Sequence, residues 1–334
     1  MSPISTHKET RANGSDRAHR PLQPGIYVPT ICFFDEKTED LDTQAISKHA
    51  VTLAQAGVTG LAVHGSNGEA VHLSDEERIT AIEATRKALD SSGFPNMPLI
   101  VGCSAQSTRE TIRLCQQAHA AGGDYALVLA ASYYKALLLS DSVLQYFRDV
   151  ADASPVPIII YNYPPAVSGL DLDSDTIIAL SKHPNIIGCK FTCGNTGKLN
   201  RVAAAQATNN TNKASSAAAP FLCLGGSGDF TIQTLISGGS GIIGGIANIA
   251  PKTCVQVMDL YSQGKLKEAQ SAQAVLARGD WAAIQGGVVG IKAAMKAHLG
   301  YGGFARKPLP RPTEAMAEAY QREFTELVEY ERSL

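Results

Sequence analysis

Eight short apolar runs, separated by stretches of helical pattern, constrain this chain more tightly than any other feature of its 334 residues. The runs fall at residues 25–32, 60–64, 99–102, 125–129, 157–161, 186–192, 221–224 and 241–244. Helical patterns occupy 41–56, 74–89, 107–121, 140–153, 174–182, 198–206 and 229–237, and the chain from Pro251 onward reads as helices. Two helix starts carry a capping box, Ser74-Asp75-Glu76-Glu77 and Ser107-Thr108-Arg109-Glu110. In such a box the serine and the glutamate three residues on satisfy each other's free backbone donors. Strands that are apolar throughout and alternate with helices belong to a parallel sheet covered on both faces. Eight such units in this length predict an α/β fold, a (β/α)8 TIM barrel with extra C-terminal helices. The alternative, a doubly wound open sheet, usually carries a GxGxxG turn after its first strand, and none follows the first run here. The expected division is a disordered tail at 1–24, the barrel at 25–250 and a helical region at 251–334 packed on it. The Thr/Asn/Ser/Ala-rich stretch 208–219 is expected to form a surface excursion.

A formal net charge of -2 gives no case for nucleic acid or a membrane surface as partner. No apolar run is long enough to span a membrane. The seven cysteines are dispersed without a CxxC pair, which predicts reduced thiols in a reducing compartment. The polar first two dozen residues lack the apolar core of a secretory signal. Their Arg and Ser content allows a mitochondrial reading, but Glu9 and Asp16 and the missing amphipathic pattern favour a cytoplasmic one.

In a (β/α)8 barrel, catalytic residues sit at the C-terminal strand ends, so the residues closing each run carry the functional information. The sixth run, Ile186-Ile187-Gly188-Cys189-Lys190-Phe191-Thr192, has a lysine near its end. An amine held in apolar surroundings sheds its proton more readily, and a neutral amine attacks carbonyls to form a Schiff base. The plainer reading is a lysine that snorkels to solvent. The fifth run ends at Tyr161, where a phenol beside an imine-forming lysine could relay protons. A core tyrosine with a satisfied hydroxyl is the alternative.

After the second run comes His64-Gly65-Ser66-Asn67-Gly68-Glu69. Its glycines permit positive φ, and successive backbone N–H groups in such a turn form a nest for a small carboxylate, with the Ser66 hydroxyl beside it. A plain glycine-rich turn is the competing reading. Ser132-Tyr133-Tyr134 follows the fourth run, Gly225-Gly226-Ser227-Gly228 the seventh, and Gly244-Gly245 the eighth. In barrels the turn after the seventh run often binds phosphate, and it could equally give only close backbone approach to a small substrate, with the glycines after the eighth leaving a bare wall on the same side. Among other lysines, Lys292 and Lys296 stand one helical turn apart and are expected to share a solvated face. Lys135 is expected in a loop. His64, Glu69 and His72 cluster in sequence, but their spacing matches no metal-ligand motif, and His72 is expected at the surface. No metal and no organic cofactor are predicted.

The motifs Gly65-Ser66-Asn67-Gly68-Glu69, Tyr133-Tyr134, Tyr161-Asn162-Tyr163-Pro164, Ile186-Ile187-Gly188-Cys189-Lys190 and the run 241–248 resemble those of the dihydrodipicolinate synthase / N-acetylneuraminate lyase family of class I, pyruvate-handling lyases. The resemblance covers nearly the whole chain from Gly25 to about Gly300. It implies that Lys190 forms an imine with pyruvate or a 2-oxo acid, that Tyr161 relays protons, and that Ser66 and Asn67 hold the carboxylate. Gly226 and Ile243 join Ser66 and Asn67 as expected substrate-binding residues. Tyr134 would correspond to the tyrosine that family members reach across a dimer contact, and homotetramers built as dimers of dimers are usual. Synthase members carry an arginine shortly after the tyrosine motif, where this chain has Pro165-Ala166-Val167-Ser168-Gly169, and a threonine where it has Asn67. Both departures speak against condensation of the lysine-pathway type. The stretches 69–74, 192–194 and 197–199 look like those of fungal 2-keto-3-deoxy-L-galactonate aldolases, with 4-hydroxy-2-oxoglutarate aldolases the next type. The implied activity is cleavage of a 2-keto-3-deoxy sugar acid to pyruvate and an aldehyde. The rivals are synthase-type condensation, a metal-dependent lyase and a non-catalytic barrel that binds a small acid.

Overall fold

The computed structural model describes residues 20–211 and 220–334. Its strands are β1 (Gly25–Pro29), β2 (Gly60–Val63), β3 (Leu99–Gly102), β4 (Tyr125–Leu129), β5 (Ile158–Asn162), β6 (Ile186–Phe191), β7 (Leu222–Gly225) and β8 (Gly241–Ile243). They pair in chain order, all parallel, and β8 closes onto β1. The intervening helices are α1 (Thr43–Gln55), α2 (Asp75–Ser91), α3 (Thr108–Ala121), α4 (Ser140–Ala153), α5 (Ser174–Leu180), α6 (Thr196–Thr211), α7 (Thr231–Ile236) and α8 (Pro251–Ser262). Two further helices, α9 (Leu266–Leu299) and α10 (Glu314–Arg332), complete the predicted barrel with its C-terminal helices. The barrel's own eighth helix, α8, lies beyond residue 250. Among the described residues no helix is long and apolar enough to cross a membrane.

Strand residues alternate between two cores. Ile26, Leu61, Val63, Leu99, Val101, Ile158 and Ile160 pack outward against the helices. Tyr27, Ala62, Ile100, Leu127, Ile159, Tyr161, Leu222, Leu224 and Ile243 fill the barrel interior. One strand breaks this parity. Ile158 pairs with Ile186, but Ile159 pairs with Gly188, so β6 carries an extra residue at Ile187. Such an insertion flips every side chain beyond it to the other face. Cys189 and Phe191 therefore join the outer core. Lys190, level with Tyr161 on β5 and Leu224 on β7, falls in the interior layer.

Residues 20–24 correct the expectation of a disordered tail up to position 24. Leu22 N–H donates to the Tyr125 hydroxyl at 2.9 Å, which itself donates to Arg20 O at 2.7 Å. Gln23 exchanges two bonds with the Tyr27 hydroxyl, and the Arg20 guanidinium pairs with Asp124 at 3.0 Å. These groups cluster at the start of β1 and β4, so the segment plugs the N-terminal end of the barrel. The rest of the expected tail, 1–19, lies outside the described residues.

The Ser74 capping box forms in full. The second is half made: Ser107 accepts from Glu110 N–H, but the Glu110 carboxylate turns to Arg113 at 2.6 Å instead of reaching back. A charged partner one turn on outcompetes the backbone amide. Helix α6 runs to Thr211, so the predicted excursion at 208–219 begins as helix, and 212–219 lie outside the described residues.

Candidate active site

A cavity of about 490 Å³ opens at the C-terminal end of the barrel. Ser66 and Asn67 from the turn after β2, Tyr161 of β5 and Tyr163 just after it, Lys190 of β6 with Thr192 and Cys193 just after it, Gly226, Ser227 and Asp229 from the turn after β7, and Gly245 after β8 line it. Asp280, Ile284, Gly287 and Ile291 of α9 close the far side.

Lys190 is only 3 % exposed, and its register partner across the β5–β6 ladder is Tyr161. Its Nζ lies 4.2 Å from the centre of the Tyr161 ring. Two other lysines are as deeply buried, and both are tied to acids: Lys198 pairs with Asp171, and Lys292 pairs with Glu69 at 2.5 Å. Among the described residues Lys190 alone of the three has no carboxylate partner. Among the described residues it is also the one basic side chain that lines the cavity. The Tyr161 hydroxyl lies 3.1 Å from Ser66 Oγ, and its ring stacks on Tyr163 at 5.6 Å. An amine over the ring face and a phenol bonded to a serine hydroxyl thus stand together at the mouth. This arrangement is able to form an imine and move a proton beside it.

The turn after β2 achieves its shape differently from expectation. Its left-handed residues are His64 (φ 58°) and Glu69 (φ 51°), not the two glycines. Gly68 serves close approach instead, since a Cβ there would meet Thr30 O at 3.0 Å. The N–H groups of Gly68, Glu69 and Ala70 close the turn onto Gly65 and Ser66 carbonyls. Those of Ser66 and Asn67 have no hydrogen-bond acceptor among the described residues. Asn67 Nδ2 rests where a Cβ on Gly245 would come within 2.6 Å, so that glycine must stay bare. Gly226 is required in the same way against Thr192, whose Oγ1 would lie 2.0 Å from an added Cβ.

Glu69 is buried behind this turn. Its carboxylate takes Lys292 Nζ, Arg306 N–H at 2.8 Å and His72 Nδ1 at 3.1 Å. The expectation that Lys292 shares a solvated face with Lys296 is therefore wrong: it is fully buried, with a second bond to Phe304 O, while only Lys296 reaches water. His72 is likewise drawn in by Glu69 and not left at the surface. His64 is buried with Nε2 on Arg78 O, and burial pushes its imidazole down to about 3, which keeps it neutral. His64 thus serves Arg78 O, apart from the Glu69–His72 pair.

Of the other expected contacts, Gly226 lines the cavity and Ile243 does not. Ile243 is fully buried in the interior core, and Gly245 two residues on takes its place at the wall. Tyr134 is 67 % exposed at the surface, edge-on to Tyr133, and outside the cavity. Reading along the sequence missed Asp280. It lies on a helix beyond the barrel, where no strand end points to it. Its Oδ2 accepts from Ser227 Oγ, Gly228 N–H and Asp229 N–H at 2.5, 2.7 and 2.9 Å.

Residues 23–330 match the Dihydrodipicolinate synthetase family. The chain belongs to that family. Among its relatives is the Emericella nidulans protein named Probable 4-hydroxy-2-oxoglutarate aldolase, mitochondrial, 55 % identical over 95 % of this chain and 99 % of the relative. The L-threo-3-deoxy-hexylosonate aldolases of Aspergillus niger and Hypocrea jecorina are 49 % and 50 % identical, each over 94 % of this chain and 98 % of the relative. A solved structure of a dihydrodipicolinate synthase family protein from Coccidioides immitis superposes with a TM-score of 0.81 at 33 % identity, covering 94 % of this chain and 99 % of that one. The aldolase names of these family members fit a barrel whose mouth holds one unpaired amine.

Proposed function

We propose that this family member is a Schiff-base aldolase that cleaves a 2-keto-3-deoxy sugar acid, such as 2-keto-3-deoxy-L-galactonate, to pyruvate and an aldehyde. The observation that carries the reading is Lys190, buried without an acid partner and level with Tyr161 in one cavity. In this reading the substrate carboxylate sits on the free N–H groups of Ser66 and Asn67. The Lys190 Nζ attacks C2 as the free amine, and with one proton taken up from solvent the carbinolamine oxygen leaves as water, giving an iminium. The C4 hydroxyl passes its proton to Tyr161 as the phenol hands its own through Ser66 to solvent, and the C3–C4 electrons move into the C2–N system. The aldehyde departs. Tyr161 returns a proton to C3 of the enamine, and water releases pyruvate from Lys190. Every step uses the chain's own groups, and the proposal needs no metal or organic cofactor.

A 2-keto-3-deoxy acid is favoured because the two L-threo-3-deoxy-hexylosonate aldolases match over nearly their full length, and because Thr192 Oγ1 and Asp229 Oδ1, in residues lining the cavity, are buried without a partner. Such atoms suit the hydroxyls of a polyol tail. The Emericella relative supports 4-hydroxy-2-oxoglutarate as a second reading. Tyr134, exposed as it is, is proposed to serve the site of a second copy in a homotetramer, and the free thiols to belong to a cytoplasmic protein. The decisive experiment is borohydride reduction with pyruvate followed by peptide mass analysis. An adduct on Lys190 is expected; its absence removes the mechanism.

A further inference from the structure

The turn after β7 is held from outside the barrel. Two side chains of α9, two helical turns apart, grip it by its backbone. Asp280 accepts from Ser227 Oγ and from the N–H groups of Gly228 and Asp229. Gln273 donates to Gly228 O at 2.8 Å and accepts from Ile232 N–H at 3.1 Å. Gly228 leaves no room for a side chain, since a Cβ would meet Ile246 at 2.6 Å. The clamp sets where Asp229 stands, and both carboxylates, Asp229 and Asp280, line the cavity.

The balance of charge in that cavity is then lopsided. Lys190 is its one cation, and in the proposed imine its positive charge is matched by the substrate's own carboxylate. The aldehyde half meets two acids, two hydroxyl groups (Thr192 and Ser227) and apolar walls from Pro165, Phe230 and Ile284. A second carboxylate on the substrate finds no basic side chain there. Like charges a few ångströms apart with little water between them repel by more than an uncharged polyol costs to seat. We propose, resting on the aldolase reading above, that Asp280 is a positioning residue that fixes Asp229 in the aldehyde subsite, and that together they select neutral polyhydroxy aldehydes over anionic ones.

The test runs the reaction in the condensation direction with pyruvate and either glyceraldehyde or glyoxylate, in wild type, Asp280→Asn and Asp229→Asn. Wild type is expected to prefer glyceraldehyde in kcat/KM. Both variants are expected to shift the glyoxylate-to-glyceraldehyde ratio towards glyoxylate by about tenfold, mostly through the KM for the aldehyde. A wild-type preference for glyoxylate, or an unchanged ratio in the variants, overturns the inference. Should Asp280→Asn fail to fold, the ratio in Asp229→Asn decides alone. Borohydride trapping of pyruvate on Lys190 is read in the same preparations. Loss of trapping in wild type defeats the aldolase reading itself, whereas intact trapping with an unchanged ratio defeats only the selectivity.

Discussion

Gly188 lies opposite Ile159 in the β5–β6 ladder, one position later on its strand than unbroken register with the Ile158–Ile186 pair would place it. Lys190 points into the barrel because of that step. In strict alternation from Ile186 it would face the helices. Only glycine fits at the step, because a Cβ would come 2.9 Å from Leu222 O on β7. Gly188→Val is expected to push β6 off β7, to cost about 1–3 kcal/mol of stability by overpacking, and to reduce pyruvate trapping on Lys190 severalfold. Denaturant melts and adduct mass analysis measure the two effects. A variant that traps pyruvate as wild type does removes the link between register and amine.

Glu69 and Lys292 form a second relationship that crosses the molecule, joining the turn after β2 to α9. Breaking one side of a buried ion pair leaves an uncompensated charge and costs about 3–5 kcal/mol. Burial pulls the Lys292 ammonium below its ordinary range, with the Glu69 charge opposing. Lys292→Met is expected to lose roughly that amount in urea unfolding. The Glu69→Gln/Lys292→Met double variant is expected to recover part of the loss, since both charges are then gone. Equal stability of Lys292→Met and wild type contradicts the account.

Tyr161 offers a cleaner separation of chemistry from structure. Its ring stacks on Tyr163 and lies against Lys190, while its hydroxyl meets only Ser66. Tyr161→Phe keeps the ring and removes the proton relay. Cleavage of the sugar acid is expected to fall by about 10²–10⁴-fold, with stability changed by about 1 kcal/mol at most. Trapping of pyruvate should survive far better than turnover, and stopped-flow measurement against mass analysis compares the two. Equal loss of both steps would assign the phenol to imine formation instead.

The barrel and the positions of Lys190, Tyr161 and Ser66 near strand ends were legible in the sequence because strand ends are local, whereas the inward direction of Lys190 rests on the register step at Gly188, which the apolar run does not show. What was not legible depends on partners far along the chain. The spacing of Lys292 and Lys296 correctly places them on neighbouring turns of one helix, but Glu69, 223 positions away, decides which of them is buried. The glycines after β2 suggest left-handed backbone, yet His64 and Glu69 take those angles, held there by Arg78 O and Lys292. Asp280 gives no periodic signal at all, since its partners are backbone N–H groups on a different element.

Asp280 also carries the pH dependence. Burial, with the Ser227 bond opposing and the Asp229 charge adding to it, raises its carboxyl above the ordinary aspartate range to about 6. Cys254 on α8 also faces it, but that thiol is pushed well above its usual range by burial and stays neutral. For an acid whose folded value is raised, the folded state binds the proton more tightly than the unfolded chain. Its contribution to stability is therefore fully present below about pH 4 and lost as pH rises through about 6. The size is of order 3 kcal/mol. Asp280→Asn cannot ionise, so its stability should fall less than that of wild type between pH 4 and 7, leaving it the more stable of the two at pH 7 if the amide keeps the turn's bonds. Urea midpoints across that range measure the difference. Burial raises the Asp229 carboxyl as well, so discrimination against glyoxylate should strengthen in wild type as pH rises through 6 and strengthen less in Asp280→Asn, where Asp229 still titrates. Parallel pH profiles for the two proteins would mean that the carboxylate on α9 does not titrate in this range.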